Sequence, residues 1–239
     1  MSRAAYLPTP GAVGDASRRP VPFGAVLCGV GPGTPSLEAA AQAAVLASGG
    51  EVTLVAIGGG GAVGPEWAEL AAAFVLAARD GELPEVLEVP ADRVLPALLL
   101  LAGLYDLLAI GAHDAGSQRE DITRTIVRQS PVPVLVARAS SGGAQVTDRI
   151  LVALVAPGDP VPPIAAAIAQ RHGSTVEMVA IPAAPRDHAA RVVLDAAGRF
   201  GATLVVVSHA GLTGVPALES VSAAVAAQAG CSVLVLRDP

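Results

Sequence analysis

The sequence predicts an α/β protein made of two tandem open parallel sheets, with five strands in the first sheet and about four in the second. Three observations predict this fold. Short β-branched runs alternate with Ala-rich helical runs, the strands are apolar on both faces, and the pattern of the first half recurs in the second. Strands of this kind are typical of a parallel sheet that is covered by helices on both sides.

The first half contains five predicted strands separated by four helices. The apolar stretch 94–112 is long enough to suggest a membrane span. Pro96 and Asp106 interrupt it, however, and an aspartate deep in lipid costs about 3 kcal/mol. We therefore divide this stretch into a helix and a buried strand. In chain order, the predicted elements are strand 26–30, helix 36–47, strand 52–57, helix 65–79, strand 86–89, helix 93–104, strand 107–110, helix 120–129 and strand 132–137.

After a linker-like run of Ser and Gly at residues 140–144, the pattern starts again. The first two matches lie 125 and 124 residues further along, whereas the last two lie 97 and 99 residues further along. The drop predicts that the second copy has lost one helix and one strand, and that the segment between 181 and 204 is mainly one helix, at about 187–200. The matched pairs are 30–35 with 155–160, 52–57 with 176–181, 107–110 with 204–207, and 134–138 with 233–237.

Composition narrows the classes of function. The net charge is −6, charged residues make up only 15%, and all 15 basic residues are arginines without a long basic run, which argues against a nucleic-acid binder. Two distant cysteines in apolar surroundings indicate a reducing cytoplasm, and no residues have metal-ligand spacing. We expect no membrane segment.

The predicted segments are a tail at 1–22, a first domain at 23–138, a linker at 139–148 and a shortened second domain at 149–237.

The ends of the two halves carry a family resemblance. The first half closes on a Pro-Val-Pro turn and then Val-Leu-Val-Ala-Arg at 134–138, and the second closes on Val-Leu-Val-Leu-Arg at 233–237. This ending, on the repeated α/β pattern, resembles the universal stress protein family in a tandem two-domain form. The resemblance implies that a nucleotide would bind at the carboxyl edge of each sheet. ATP-binding members carry an Asp after the first strand and the loop Gly-x2-Gly-x9-Gly-Ser or Thr.

The first half departs from that pattern. Gly31 stands where the adenine-binding Asp is expected, and the loop after the fourth strand begins at Gly111 without the second glycine. Glu120 and Asp121 occupy the Gly-Ser position. Two carboxylates there repel a triphosphate, since one charge pair at 4 Å is worth about 4 kcal/mol at an effective dielectric near 20.

The second half keeps more of the loop. It begins at Ser208, retains Gly211 and ends at Glu219 and Ser220, while Val155 or Ala156 replaces the adenine Asp. If any nucleotide binds, the resemblance implies six candidate positions. They are Gly31, Gly33 and Gly111 in the first half, and Ser208, Gly211 and Ser220 in the second.

These features favour a non-catalytic protein of the stress response with largely degraded ATP sites and no required cofactor. One alternative is a nucleotide-binding regulatory protein that holds ATP through a modified loop. Another is an NAD-type oxidoreductase, because residues 59–64 fit G-x-G-x-x-G between a strand and a helix. That run follows the second strand, not the first of a dinucleotide-binding unit. For partners, we expect internal pairing of strands 132–137 and 233–236, or a homodimer.

Overall fold

The predicted α/β class is confirmed by a computed structural model, which describes residues 22–47, 49–58, 64–78, 83–90, 93–112, 118–139, 144–154, 158–182, 184–208 and 216–237. The first unit alternates five strands with four helices. They are β1 (Ala25–Val30), α1 (Thr34–Ala47), β2 (Glu51–Gly58), α2 (Gly64–Ala78), β3 (Glu85–Pro90), α3 (Val94–Ala102), β4 (Leu107–Gly111), α4 (Gln118–Gln129) and β5 (Val134–Ala137).

The second unit has the predicted shortened pattern of four strands. Between β7 and β8 the described residues form helix α6 and no strand, as the fall in repeat offset predicted. Both α5 and α6 end on a glycine with positive φ, Gly173 and Gly201, a conformation that glycine adopts without strain. The elements are β6 (Arg149–Leu154), α5 (Pro163–His172), β7 (Thr175–Ala180), α6 (Arg186–Phe200), β8 (Leu204–Ser208), α7 (Pro216–Gln228) and β9 (Ser232–Leu236).

The two predicted sheets meet edge to edge and form one sheet of nine strands, in the order β3-β2-β1-β4-β5-β9-β8-β6-β7. Neighbouring strands within each unit are parallel. Strands β5 and β9 pair antiparallel, with Leu135 opposite Leu234. The two final strands, which the sequence marked as candidates for internal pairing, thus lie side by side.

Helices cover both faces of this sheet, and the two faces form separate cores. Residues of α1, α2 and α5 pack on one face, whereas residues of α3, α4, α6 and α7 pack on the other. The strands are apolar on both faces because both faces are buried.

The apolar stretch 94–112 forms α3 and β4, joined by a turn. The exposed Asp106 accepts hydrogen bonds from the backbone N–H groups of Gly24 and Ala25, at 2.8 and 2.9 Å, and so fixes the start of β1 beside β4. In the described part of the chain, no helix is both long and apolar enough to cross a membrane.

A buried polar network joins the two units. Ser232 Oγ donates to Gln42 Oε1 at 2.6 Å and accepts from the backbone N–H of Arg138 at 3.0 Å. Gln42 Nε2 in turn donates to the backbone carbonyl of Arg138 at 2.7 Å. Helix α1, the end of β5 and the start of β9 are therefore tied together by groups that satisfy one another.

Candidate functional site

The carboxyl ends of β1 and β4 lie next to each other in the first unit, because these strands are parallel neighbours. After β1 the chain builds the sheet outward through β2 and β3, and it then returns to place β4 on the other side of β1. Ligands of open α/β sheets bind at such a reversal of strand order. Gly31 follows β1 and Gly111 ends β4, so the structure brings two of the predicted positions to one edge.

The turn after β1 is closed by its own hydrogen bonds. The backbone N–H of Gly31 donates to Ser36 Oγ at 3.0 Å, and the backbone N–H of Ser36 donates to the Gly33 carbonyl at 3.1 Å. Gly33 has a φ of +118°, which strains residues other than glycine. Ser36 is only 3% exposed. The Gly31 N–H is thus already bonded within the protein.

Pro35 packs directly on Gly111. A Cβ placed on Gly111 would come within 2.4 Å of both the carbonyl carbon and the carbonyl oxygen of Pro35. Only a glycine allows this approach without movement of the backbone, so Gly111 accommodates the start of α1. The side chains of Pro35 and Ser36, which the family pattern did not single out, therefore shape this edge. The Gly-Pro-Gly-Thr-Pro-Ser run at 31–36 was the available sequence signal.

The corresponding edge of the second unit is only partly described. Gly158, the repeat partner of Gly33, has a φ of +95°, and no described heavy atom lies within 4 Å of a Cβ placed on it. Ser208 ends β8 at the position equivalent to Gly111. Gly211 lies outside the described residues. Ser220 falls within the backbone of α7, but its side chain lies outside the description.

Several other predicted positions also fall outside the described part of the chain. The side chains of Glu120 and Asp121 are among them, although their backbone forms the first turn of α4. Residues 59–63 of the G-x-G-x-x-G run are not described, and Gly64 begins α2. Within the described residues, no three His, Cys, Asp or Glu side chains are placed to hold a metal ion.

Two equivalent arginines, one at the end of each unit, form hydrogen bonds with the other unit. Arg138 follows β5, and its Nη2 donates to the carbonyls of Ala226 and Ala227 in the last turn of α7, at 2.7 and 3.0 Å. Arg237 follows β9, and its Nη2 donates to the carbonyl of Val127 in the last turn of α4. Each unit thus caps the final helix of the other with a cation, which suits the negative end of a helix dipole.

Burial shifts the ionisation of the groups around Arg138. Desolvation lowers the pKa of Arg138, and the nearby Cys231 partly offsets that effect. Desolvation raises the pKa of Cys231, while the charge of Arg138 acts in the opposite direction. The second cysteine, Cys28, lies elsewhere, in β1, and burial raises the pKa of its thiol to about 12. Both thiols are therefore held in the neutral form at physiological pH, which does not suit a nucleophile.

The chain is similar to known proteins both in part of its sequence and in its fold. Residues 186–237 match the model of the universal stress protein family. A candidate universal stress protein from Pseudomonas aeruginosa UCBPP-PA14 has a similar structure, with a TM-score of 0.63 and 16% identity over 90% of this chain and 93% of that one. A universal stress protein from Archaeoglobus fulgidus DSM 4304 has a TM-score of 0.57 and 13% identity over 90% and 96%.

A protein of unknown function from Pseudomonas aeruginosa PAO1 is also similar, with a TM-score of 0.59 and 15% identity over 90% of this chain and 92% of that one. No curated protein matches the sequence. At such low identity the solved structures show the shared fold alone, and the family model supplies the sequence link. The last part of the chain, residues 186–237, thus matches the universal stress protein family, and the fold is shared along nine-tenths of the chain.

Proposed function

We propose that this chain is a non-catalytic, cytoplasmic member of the bacterial stress response in which the ATP site of the first unit is degraded. One observation carries the proposal. Pro35 packs on Gly111 at the edge where a nucleotide would enter. The hydrogen bond from the Gly31 N–H to Ser36 Oγ adds to this closure.

The chemistry of phosphate binding explains why this packing matters. A phosphate at such an edge is held by free backbone N–H groups and by the positive end of a helix. Here the N–H of Gly31 at this edge is bonded internally, and Gly31 offers no side chain in place of the adenine-binding Asp. Glu120 and Asp121 add two negative charges to the first turn of α4. These features act together against a bound triphosphate.

The second unit supports an alternative function, a regulatory protein that binds a nucleotide there alone. The space around Gly158 is open among the described residues. Because Ser208 carries a Cβ, a contact as close as that between Gly111 and Pro35 cannot form at this position. Gly211 and Ser220 keep two residues of the family's phosphate loop.

We further propose that the two units partner each other within one chain. The antiparallel pairing of β5 with β9 supports this, as do the reciprocal caps from Arg138 and Arg237. Unpaired strand edges recruit other chains, and this pairing uses the final strand of each unit. A homodimer is then not needed to cover these two edges.

A thermal-shift assay of the full chain with ATP, ADP and NAD separates the hypotheses. A ligand at 100 times its Kd adds about 2.7 kcal/mol of stability, which is a rise of several degrees in Tm for a chain of this size. We expect none of the three ligands to raise the Tm. A rise with ATP that Ser220→Ala abolishes, and that Ser141→Ala in the predicted linker retains, would favour the regulatory alternative. A rise with NAD alone would favour the oxidoreductase.

A further inference from the structure

Strand β3 lies at one end of the nine-stranded sheet. Among the described strands it pairs only with β2, in register from Glu85 opposite Thr53 to Pro90 opposite Gly58. The other side of an end strand presents backbone N–H and C=O groups that can pair with another extended chain. This outer side of β3 is separate from the candidate site, which lies at the carboxyl ends of β1 and β4.

Apolar side chains are exposed beside this edge. Leu70 and Phe74 are one turn apart on α2 and are 44% and 43% exposed, and Val86 on β3 is 42% exposed. Val86 is the register partner of Leu54, which belongs to the same core as Ala71 of α2. Since register partners in a sheet point to the same face, Val86 lies on the face that α2 covers. The three exposed side chains thus belong to one side of the sheet edge.

The described segments that form this region carry charged side chains of a single sign. The described segments 49–58, 64–78 and 83–90 contain five glutamates and no Arg, Lys or His. These three described segments together carry five negative charges, against a net charge of −6 for the whole chain. Such a field attracts a positively charged partner and speeds its association. The five residues are Glu51, Glu66, Glu69, Glu85 and Glu88, and all of them are exposed.

The same charges disfavour a second copy of this chain as the occupant. Two-fold antiparallel pairing of two β3 strands centred on Glu85 or on Glu88 would set that glutamate opposite the same residue of the other copy. Like charges directly opposite in a sheet are destabilising. Charges and a proline on an end strand are also the usual means by which proteins prevent self-pairing, and Pro90 ends β3.

We propose that β3 and the adjoining flank of α2 bind an extended segment of another protein in which basic and apolar residues alternate. The segment would add a strand beside β3, a recurring mode of peptide recognition in which backbone pairing supplies affinity and alternate side chains supply specificity. Its apolar side chains would lie on the α2 face over Leu70, Phe74 and Val86. Its basic side chains would lie on the opposite face beside Glu85, within the field of Glu88. This inference goes beyond the proposed function and does not depend on whether a nucleotide binds.

The test uses the full chain and a fluorescein-labelled synthetic peptide of alternating Arg and Val as the probe, with binding followed by fluorescence anisotropy. We expect saturable binding that weakens as salt is raised. The double variant Glu85→Gln, Glu88→Gln should bind at least tenfold more weakly. The matched control Asp187→Asn, Asp195→Asn removes the same charge from exposed positions on α6 and should bind as the wild type does.

A second variant tests the apolar part. Leu70→Ser with Phe74→Ser changes exposed side chains, so the fold should persist by circular dichroism, and the affinity for the probe should fall by a similar factor. Equal binding of an Arg-only peptide, equal loss in the α6 control or unchanged binding by the serine variant would overturn the proposal. Concentration-dependent dimerisation abolished by the serine variant would assign the edge to a second copy. Tighter binding of a peptide of residues 1–21 would assign it to this chain's own tail.

Discussion

Replacement of Gly111 by alanine tests whether the turn after β1 closes the edge of the first unit. The substitution adds one methyl group at the end of β4. That carbon would lie 2.4 Å from the carbonyl carbon and oxygen of Pro35 and 2.8 Å from its Cβ. Two of these three atoms belong to the backbone, so no side-chain rotation relieves the overlap. The start of α1 must move away from β4.

The expected cost follows from the size of this overlap. Extra methyl or methylene groups in a well-packed interior destabilise a protein by about 1–3 kcal/mol. For a chain of this length, 1 kcal/mol corresponds to about 2–4 °C in Tm. Gly111→Ala should therefore lower the Tm by roughly 2–12 °C. The Gly31 to Ser36 hydrogen bond should weaken as well, because both residues belong to the displaced turn.

Urea denaturation and differential scanning calorimetry measure the effect, and Gly198→Ala provides the matched control. Gly198 lies within α6, and no described heavy atom comes within 4 Å of a Cβ placed there. The same chemical change should stabilise the protein at this position by about 0.5–1 kcal/mol, since alanine has the higher helix propensity. Unchanged or increased stability of Gly111→Ala would refute the close packing of Pro35 and remove the main support for a closed edge.

Three further predictions concern the joint between the units and the core. Ser232→Ala should cost about 1–3 kcal/mol in urea denaturation, because buried polar groups of Gln42 and Arg138 lose a partner. Burial raises the pKa of Cys28 from 9.0 to about 12, so the folded state retains a proton that the unfolded state loses. Stability should therefore fall as the pH rises from 9 towards 12, and Cys28→Ser should remove that contribution; an unaltered pH dependence would contradict this. A fragment of residues 1–138 should self-associate in light scattering because β5 loses β9; a monomer at tens of micromolar would contradict internal pairing.

The sequence predicts the order and number of the elements because apolar runs report burial directly. The ends of strands are less well predicted where a side chain forms hydrogen bonds with backbone groups that would otherwise pair in the sheet. The strand predicted at 132–137 begins at Val134, because Ser130 Oγ bonds to both the N–H and the carbonyl of Val132 and holds that residue in a turn. Such local bonds do not change the hydrophobic pattern, so periodicity does not reveal them.

The candidate site is harder to predict from the sequence than the fold is. A glycine at 111 is compatible with a phosphate loop and equally with close packing against Pro35, and only the tertiary arrangement distinguishes them. The reciprocal caps from Arg138 and Arg237 likewise depend on how the two units meet. The matching arginines at the ends of the two repeats were visible in the sequence, but their partners on the opposite unit were not.

Isothermal titration calorimetry of the full chain with ATP tests the central claim most directly. We predict no saturable binding with a Kd below about 1 mM, which corresponds to a binding free energy of about −4 kcal/mol. A micromolar Kd, or ATP that copurifies with the protein, would contradict the account of a degraded site. Binding that Gly111→Ala alters and Ser220→Ala leaves unchanged would place the nucleotide at the very edge that Pro35 is proposed to close.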